Sequence, residues 1–264
     1  MRVLVAGGGI GGLTAAIALG RRGHEVVLAE RAPSFEAIGA GLVLGPNAGA
    51  ALGALGVDLA AVAARLLALD VVDQRGRLLQ RVDTAALAAS VGPTFALSRP
   101  ELHGLLCDAL PSTVDVRLGA ALVELCDAPG APVAATLAGA DGHRVELVDL
   151  VVAADGLRSP TRSLLGLDVA ARYSGVTCYR GILPNPGIDR AVEAWGDPAR
   201  IGAVPLGDDR LYYFLVLTAP QGAPPLDGAD AFRRAFGALR GERWLAASDS
   251  AGGDGSPLNA AAEE

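Results

Sequence analysis

Residues 7 to 12 read Gly-Gly-Gly-Ile-Gly-Gly, and the segments on either side of them have a fixed character. Before the run, Arg2 to Ala6 is a short β-branched stretch that reads as a buried parallel strand. After it, Leu13 to Arg22 carries alanine and leucine at helical spacing and stops at Gly23. Glu25 to Glu30 (EVVLAE) is a second apolar strand. Strand, glycine turn, helix and strand within about thirty residues make a βαβ unit. Gly7, Gly9 and Gly12 stand in the G-x-G-x-x-G order that this unit uses to hold a pyrophosphate. The first glycine permits the tight turn, the second lets the phosphates approach the backbone, and the third lets helix and strand pack closely. Free N–H groups at the helix start, with the helix dipole, favour the anion. Glu30 ends the second strand, where a carboxylate accepts hydrogen bonds from ribose hydroxyls and repels a 2′-phosphate. The expected ligand is therefore FAD or NAD rather than NADP, and the motif does not choose between the first two.

Beyond this unit the pattern loosens. Pro33 to Gly45 reads as a glycine-containing loop and Pro46 to Leu55 as a short helix. Leu69 to Val82 reads as a hairpin turning at Gln74–Gly76, and Pro100 to Leu110 as a helix with Ser98 placed to cap it. Val114–Leu118 and Leu122–Cys126 read as strands, followed by a hairpin of Ala134–Leu137 and Arg144–Leu147 around Asp141-Gly142. Leu150–Ala154 is another buried strand, ended by Asp155-Gly156. Val176–Leu183, Arg200–Pro205 and Leu211–Leu217 suggest a second, smaller mixed sheet. Pro220–Pro225 reads as a turn or linker and Ala229–Leu239 as a helix, while Ser248–Glu264 reads as loop or disorder.

Composition narrows the function classes. The net charge is -7 and all 22 basic residues are arginine, which argues against a nucleic-acid partner. The arginine pairs Arg21-Arg22 and Arg233-Arg234 sit in helical patterns and read as solvated faces. Cys107, Cys126 and Cys178 lack metal-ligand spacing and read as reduced, partly buried thiols, with no metal site expected. His24, His103 and His143 lie in surface-like contexts and are not read as catalytic. No segment has the length and purity of a membrane span, so a cytoplasmic protein, monomeric or homodimeric, is expected.

The opening VLVAGGGIGGLTAAIALGRRGHEVVLAERAP resembles the group A flavoprotein monooxygenases of the para-hydroxybenzoate hydroxylase type. IGAGLVLGPNAGAALGALGV (Ile38 to Val57) resembles the segment that follows in the salicylate and urate hydroxylase branch, where it passes near the flavin. LSRPELHGLL, with Arg99, resembles that family's R-x-x-L helix start, whose arginine contacts the phosphate and ribityl region of FAD. AADGLRSPTR (Ala153 to Arg162) resembles its DG motif, whose aspartate, here Asp155, touches FAD. YSGVTCYRGILP (Tyr173 to Pro184) and EAWGDPARIGAVPLGDDRLYYFLV (Glu193 to Val216) resemble its substrate-domain strands. The resemblance implies FAD as cofactor, bound at Gly7, Gly9, Gly11, Gly12, Glu30, Arg31, Gly41, Arg99 and Asp155, with NAD(P)H as a transient co-substrate. Read without it, Asp155 is a turn aspartate and Arg99 a surface ion-pair partner.

The same resemblance implies an FAD-dependent monooxygenase that uses NAD(P)H and O2 to hydroxylate an aromatic or related small planar substrate. Urate-hydroxylating relatives place an arginine and a tyrosine twelve residues apart in this region, and Arg200 and Tyr212 fit that register as substrate-positioning residues. The alternative for these two is a solvent-facing arginine and a core tyrosine. The implied fold class is α/β: a Rossmann-type FAD-binding domain (1–70 and 98–170) with a smaller mixed-sheet substrate domain (71–97 and 171–245) and a tail at 246–264. The family's third fingerprint, G-D-A-A-H with a following proline and glycine turn, has no intact copy. Either Ser248–Ala251, Asn259 and Glu263-Glu264 are its remnant, or the chain stops before it, which makes a truncated or degenerate FAD-binding protein the first alternative. An NAD-dependent dehydrogenase is the second.

Overall fold

The computed structural model describes residues 1–35 and 39–237. Ile38, the end of the expected helix Ala229–Leu239, and the tail with Ser248–Ala251, Asn259 and Glu263-Glu264 lie outside the described residues. In chain order the strands are β1 (Arg2–Ala6), β2 (Glu25–Glu30), β3 (Gly41–Leu44), β4 (Ala64–Leu66), β5 (Leu69–Asp73), β6 (Leu78–Val82), β7 (Thr94–Ser98), β8 (Asp115–Leu118), β9 (Ala121–Cys126), β10 (Val133–Gly139), β11 (Gly142–Val148), β12 (Leu150–Ala153), β13 (Val176–Pro184), β14 (Ala191–Trp195), β15 (Ala199–Pro205) and β16 (Arg210–Thr218). The α-helices are α1 (Ile10–Arg21), α2 (Pro46–Ala54), α3 (Thr84–Val91), α4 (Arg99–Asp108), α5 (Pro160–Leu164) and α6 (Gly228–Phe236). No helix among the described residues is long and apolar enough to cross a membrane.

The chain divides into two compact units. The first comprises Met1–Ile38, Leu52–Asp58 and Pro100–Ala170. Its centre is a parallel sheet in the order β12-β1-β2-β8. Both faces of β1 and β2 are covered, which is why these strands read as unbroken apolar runs rather than alternating ones. On one face Leu4, Ala6, Val27 and Ala29 pack with Leu122, Ala135, Leu137 and Val148 of the antiparallel sheet β11-β10-β9. Residues of opposite parity, Val3, Val5, Val26 and Leu28, are buried on the side that carries α1, whose Leu13, Ala16 and Ile17 are fully buried.

The second unit comprises Gly39–Ala51, Leu59–Arg99 and Ala171–Glu264. Its six-stranded sheet runs β13-β16-β15-β14-β5-β6, antiparallel except for the parallel pair β14/β5. One face holds Tyr179, Ile201 and Leu215 against Phe232 and Phe236 of α6. The other holds Val204, Leu206 and Tyr212 against Leu66 and Ala96 of the small sheet β3-β7-β4. Asp70 and Arg81, opposite each other in the β5–β6 hairpin, join through two hydrogen bonds of 2.6 Å that hold its register. The α/β class and the mixed second sheet agree with the sequence reading.

Several elements correct it. The expected loop Pro33–Gly45 contains strand β3, which exists because it pairs with β7, another strand not anticipated. Strands β4 and β14 and helices α3 and α5 were also not anticipated. Each is short, and among the described residues β3, β4 and β7 pair only with one another across 28 or more residues of sequence, where a local pattern carries little signal. Helix α4 begins at Arg99, directly after the strand that ends at Ser98.

The first unit contains one concentrated electrostatic feature. Glu146 is 3% exposed and its carboxylate meets Arg2 at 2.7 Å, Arg144 at 2.6 Å, and Arg117. Burial acts to raise the Glu146 carboxyl above its ordinary value of 4.5, but the hydrogen bond and charge of Arg117, with Arg144 and Arg2, outweigh it and hold the group lower. The unfolded chain therefore binds more protons in the acid range. The stabilisation is complete above the unfolded value and fades as pH falls through the lower folded value. Glu146→Gln should cost about 2 kcal/mol at neutral pH, less than for a fully enclosed pair because Arg2 and Arg144 reach solvent. Thermal melts of both proteins between about pH 7 and about pH 3 check this, with the difference in Tm shrinking as the medium becomes acidic.

Candidate functional site

The glycine turn leaves β1 and enters α1, and its glycines divide into two groups by what surrounds them. Gly7 has φ +106°, and a Cβ there would lie 2.4 Å from the Ala154 carbonyl oxygen. A Cβ on Gly12 would lie 1.8 Å from the Gly7 carbonyl oxygen. These two are glycine because the fold leaves no room. Gly9 and Gly11 differ, since a Cβ on either would meet nothing within 4 Å. Gly9 is the N-cap of α1, and no side chain caps that helix. The N–H groups of the first turn have no intrahelical acceptors, and at Gly9 the backbone opens on free space.

Gly8, which the motif leaves unassigned, is enclosed. A Cβ there would lie 2.7 Å from the Phe35 ring and 3.0 Å from Glu30 Cβ. Its N–H donates to Glu30 Oε2 at 2.6 Å, and Ala32 N–H donates to Glu30 Oε1 at 2.8 Å. Glu30 thus ties the turn to the end of β2 and presents its carboxylate beside the helix start. A cleft here is lined by Gly7, Glu30, Arg31, Ala121, Asp155 and Pro160. Arg31 is exposed on it.

Asp155 follows β12 and joins this cleft with both carboxylate oxygens already engaged. Oδ1 accepts from Ser159 Oγ at 2.5 Å, and Oδ2 accepts from Thr161 N at 2.9 Å and Thr161 Oγ1 at 2.6 Å. Burial acts to raise its carboxyl, but these hydrogen bonds from Ser159 and Thr161 prevail and hold it below the ordinary 3.8. Asp155 therefore stays ionised and secures the first turn of α5, with Ser159 as N-cap accepting from Arg162 N–H. Sequence reasoning missed Ser159 and Thr161 in this role, although Asp-x-x-x-Ser-x-Thr before a short helix is a capping pattern.

The donor set of this unit fits an ADP moiety: an uncapped helix start, a glycine without a packing reason for lacking its side chain, and an acid at the adjacent strand end. Gly7, Gly9, Gly11, Gly12, Glu30, Arg31 and Asp155 come together here. Gly41 and Arg99 belong to the second unit, where each lies next to the other's chain neighbour. Gly41 pairs with Ser98 across β3 and β7, and Arg99 N–H donates to Ala40 O at 2.8 Å. The Arg99 stem covers Gly39, where a Cβ would lie 2.8 Å from Arg99 Cδ. Gly41 lies under the ring of Tyr212, 2.3 Å from ring atom Cγ to a hypothetical Cβ, which accounts for that glycine by packing.

Arg200 and Tyr212 lie on neighbouring strands and one face, but the structure does not bring them together. Arg200 pairs with Val216 and Tyr212 with Val204, a separation of four residues, or roughly 13 Å along the sheet. Arg200 is exposed and 3.3 Å from Glu193, whereas Tyr212 is 8% exposed within the core. Two of the three histidines need correction. His143 is exposed, but His24 and His103 are half-buried, and His103 has Nε2 2.9 Å from Gly8 O and its ring edge-on to Phe35. Among the cysteines, Cys107 and Cys178 are half-buried and Cys126 is exposed rather than partly buried. Among the described residues no three His, Cys, Asp or Glu side chains gather in a metal-binding cluster.

Residues 1–182 match the family model described as FAD binding domain. The chain belongs to that family. Among related members, the chain is 36% identical over 228 residues to the aurachin C monooxygenase/isomerase of Stigmatella aurantiaca, covering 84% of this chain and 58% of that protein. It is 32% identical over 238 residues to the FAD-dependent urate hydroxylase of Mycolicibacterium vanbaalenii, covering 86% and 59%. The fold matches that of 2-methyl-3-hydroxypyridine-5-carboxylic acid oxygenase with a TM-score of 0.76 at 26% identity, covering 94% of this chain and 67% of that one. The chain thus spans somewhat under three fifths of the length of the curated relatives it matches. These FAD binding domain relatives carry monooxygenase and hydroxylase names, in keeping with the resemblance read from the sequence.

The two groups of glycines separate by mutation. Gly12→Ala should cost at least about 2 kcal/mol, because the clash is with backbone that cannot swing aside. Gly9→Ala should cost about 1 kcal/mol or less. Urea unfolding of both variants and the parent chain measures the difference.

Proposed function

We propose that this chain holds FAD by its ADP half in the first unit and forms part of a monooxygenase. That enzyme would use NAD(P)H and O2 to hydroxylate an aromatic or related planar small molecule. The observation that carries the reading is the Gly8–Gly9 turn: held on one side by Glu30, open on the other, and followed by an uncapped helix. The chemistry that FAD supplies when bound is the passage of electrons from a reduced nicotinamide to O2.

The residues of this chain do the binding. Amide groups of Gly9, Ile10 and Gly11 donate to the pyrophosphate, and the α1 dipole favours its charge. Each Glu30 oxygen uses one lone pair on a backbone N–H and keeps another for a ribose hydroxyl. A 2′-phosphate at that place would face the carboxylate and be repelled. Asp155, through α5, shapes the floor of the cleft near Pro160, and Arg31 stands at its rim. Arg99 and Gly41 are proposed for the phosphate, ribityl and flavin side. Arg200, exposed on the second unit's sheet, is the better placed of the two proposed substrate residues, with Tyr212 acting as the packing that shapes its surroundings. The support for a planar substrate comes from the relatives, whose names describe a urate hydroxylase and an oxygenase of a pyridine carboxylic acid. The one G-x-G-x-x-G in the chain favours NAD(P)H as a transient visitor rather than a second resident nucleotide.

Titration of the purified chain with FAD, followed by quenching of flavin fluorescence, tests the reading. Saturable uptake of one FAD is expected, and Glu30→Gln should weaken it by about ten-fold or more through loss of charge-assisted hydrogen bonds. A chain that takes up no FAD at any reachable concentration sinks the proposal.

A further inference from the structure

His103 stands on α4, one turn before Cys107, and its side chain reaches back across 95 residues of sequence to the glycine turn. Nε2 lies 2.9 Å from Gly8 O. A carbonyl oxygen only accepts, so Nε2 carries the hydrogen and donates it. In an imidazole with its hydrogen on Nε2, Nδ1 is the acceptor, and Cys107 Sγ lies 3.5 Å from it. Burial, with the charge of Asp108, pushes the Cys107 thiol up, so it stays protonated and can supply that hydrogen. Phe35 meets the imidazole edge-on with ring centroids 5.2 Å apart and also encloses Gly8. The ring is therefore held in position from three sides.

The consequence lies in the peptide between Gly8 and Gly9. It is planar and trans, as the one cis bond among the described residues is Asp197–Pro198. In a trans peptide the carbonyl and the following N–H point in opposite directions. Fixing Gly8 O against His103 therefore aims Gly9 N–H away from α4. Glu30 holds the other peptide of the same residue through Gly8 N–H. Without these two anchors, three consecutive glycines would sample many orientations, because glycine gains the most backbone freedom when released.

We propose that His103 is a positioning residue for the pyrophosphate: it orients the Gly8–Gly9 peptide so that Gly9 N–H is presented to a phosphate oxygen before the nucleotide arrives. This rests on the reading that a dinucleotide occupies the turn. Preorganised donors bind more tightly because less order is lost on association.

The test compares ADP, adenosine and FAD binding by calorimetry on the full chain and on His103→Leu, His103→Gln and His103→Asn. In His103→Leu the Kd for ADP and for FAD should rise about ten-fold, while adenosine, which lacks phosphate, changes less than about two-fold. His103→Gln places an amide N–H near the Nε2 position and should recover most of the ADP affinity. His103→Asn has the same polarity but is one methylene short, and should not. If His103→Leu does not fold, the contrast between Gln and Asn decides alone. The inference is overturned if ADP binds the leucine variant as it binds the parent, if adenosine weakens as much as ADP, or if Gln and Asn behave alike. If the parent chain binds neither ADP nor FAD, the functional reading itself is overturned, and the inference with it.

Discussion

The close approach of Gly12 to the Gly7 carbonyl underlies the organisation of the first unit. Two atoms are missing: without a Cβ on Gly12, α1 starts almost on top of the strand end that precedes it, and without one on Gly7 that strand end lies close against Ala154 and Asp155 after β12. That proximity buries Leu13, Ala16 and Ile17 on the sheet and leaves the head of the helix at the carboxyl ends of β1, β2 and β12. Open parallel sheets bind ligands at these ends, because loops there are free to shape a site while the strands behind stay packed. The chemistry of the unit thus follows from a steric condition.

A run of glycines has a cost as well as a use. Each loses more freedom on folding than another residue would, by about 0.5–1 kcal/mol relative to alanine. The unit offsets this with side chains that grip the turn from outside: Glu30 on the Gly8 N–H, His103 on the Gly8 carbonyl, Phe35 against the Gly8 α-carbon. Asp155 does comparable work at α5, where three hydrogen bonds from Ser159 and Thr161 fill its carboxylate. The two acids that line the cleft, Glu30 and Asp155, are therefore also structural. Their positions are set by the fold before any ligand is considered, which is the condition for a preorganised site.

The second unit applies the same economy of volume with aromatic rings. Tyr212, Tyr213 and Phe214 are consecutive on β16 and each lies over a glycine, at Gly41, Gly181 and Gly202 respectively. Gly181 and Gly202 face their rings directly across the β13/β16 and β15/β16 pairings. A ring placed over a strand glycine restores the contacts that a missing side chain forfeits. Because strand residues alternate in direction, Tyr212 and Phe214 serve the face that meets the small sheet, while Tyr213 serves the face that meets α6. Arg200 lies on the first of these faces but at its exposed end, beside Glu193.

What could be read from residues alone was whatever local pattern dictates: the βαβ unit and its glycine turn, Glu30 at the strand end, the hairpins at Asp73–Arg77 and Gly139–Gly142, the long strands β13, β15 and β16, and the resemblance carried by contiguous motifs. Short elements such as β3, β4, β14 and α5 were not legible, because three to five residues hold too little periodicity, and β3 and β4 also owe their stability to the distant strand β7. Tertiary structure alone decided which glycines are spaces for a ligand and which are spaces for a neighbour. Gly9 opens outward, whereas Gly41 is filled by a tyrosine 171 positions later in the chain. It also drew His103 out of an ordinary helical pattern and set it against the turn. Such contacts depend on how whole elements pack, and packing acts between atoms that a linear sequence leaves far apart.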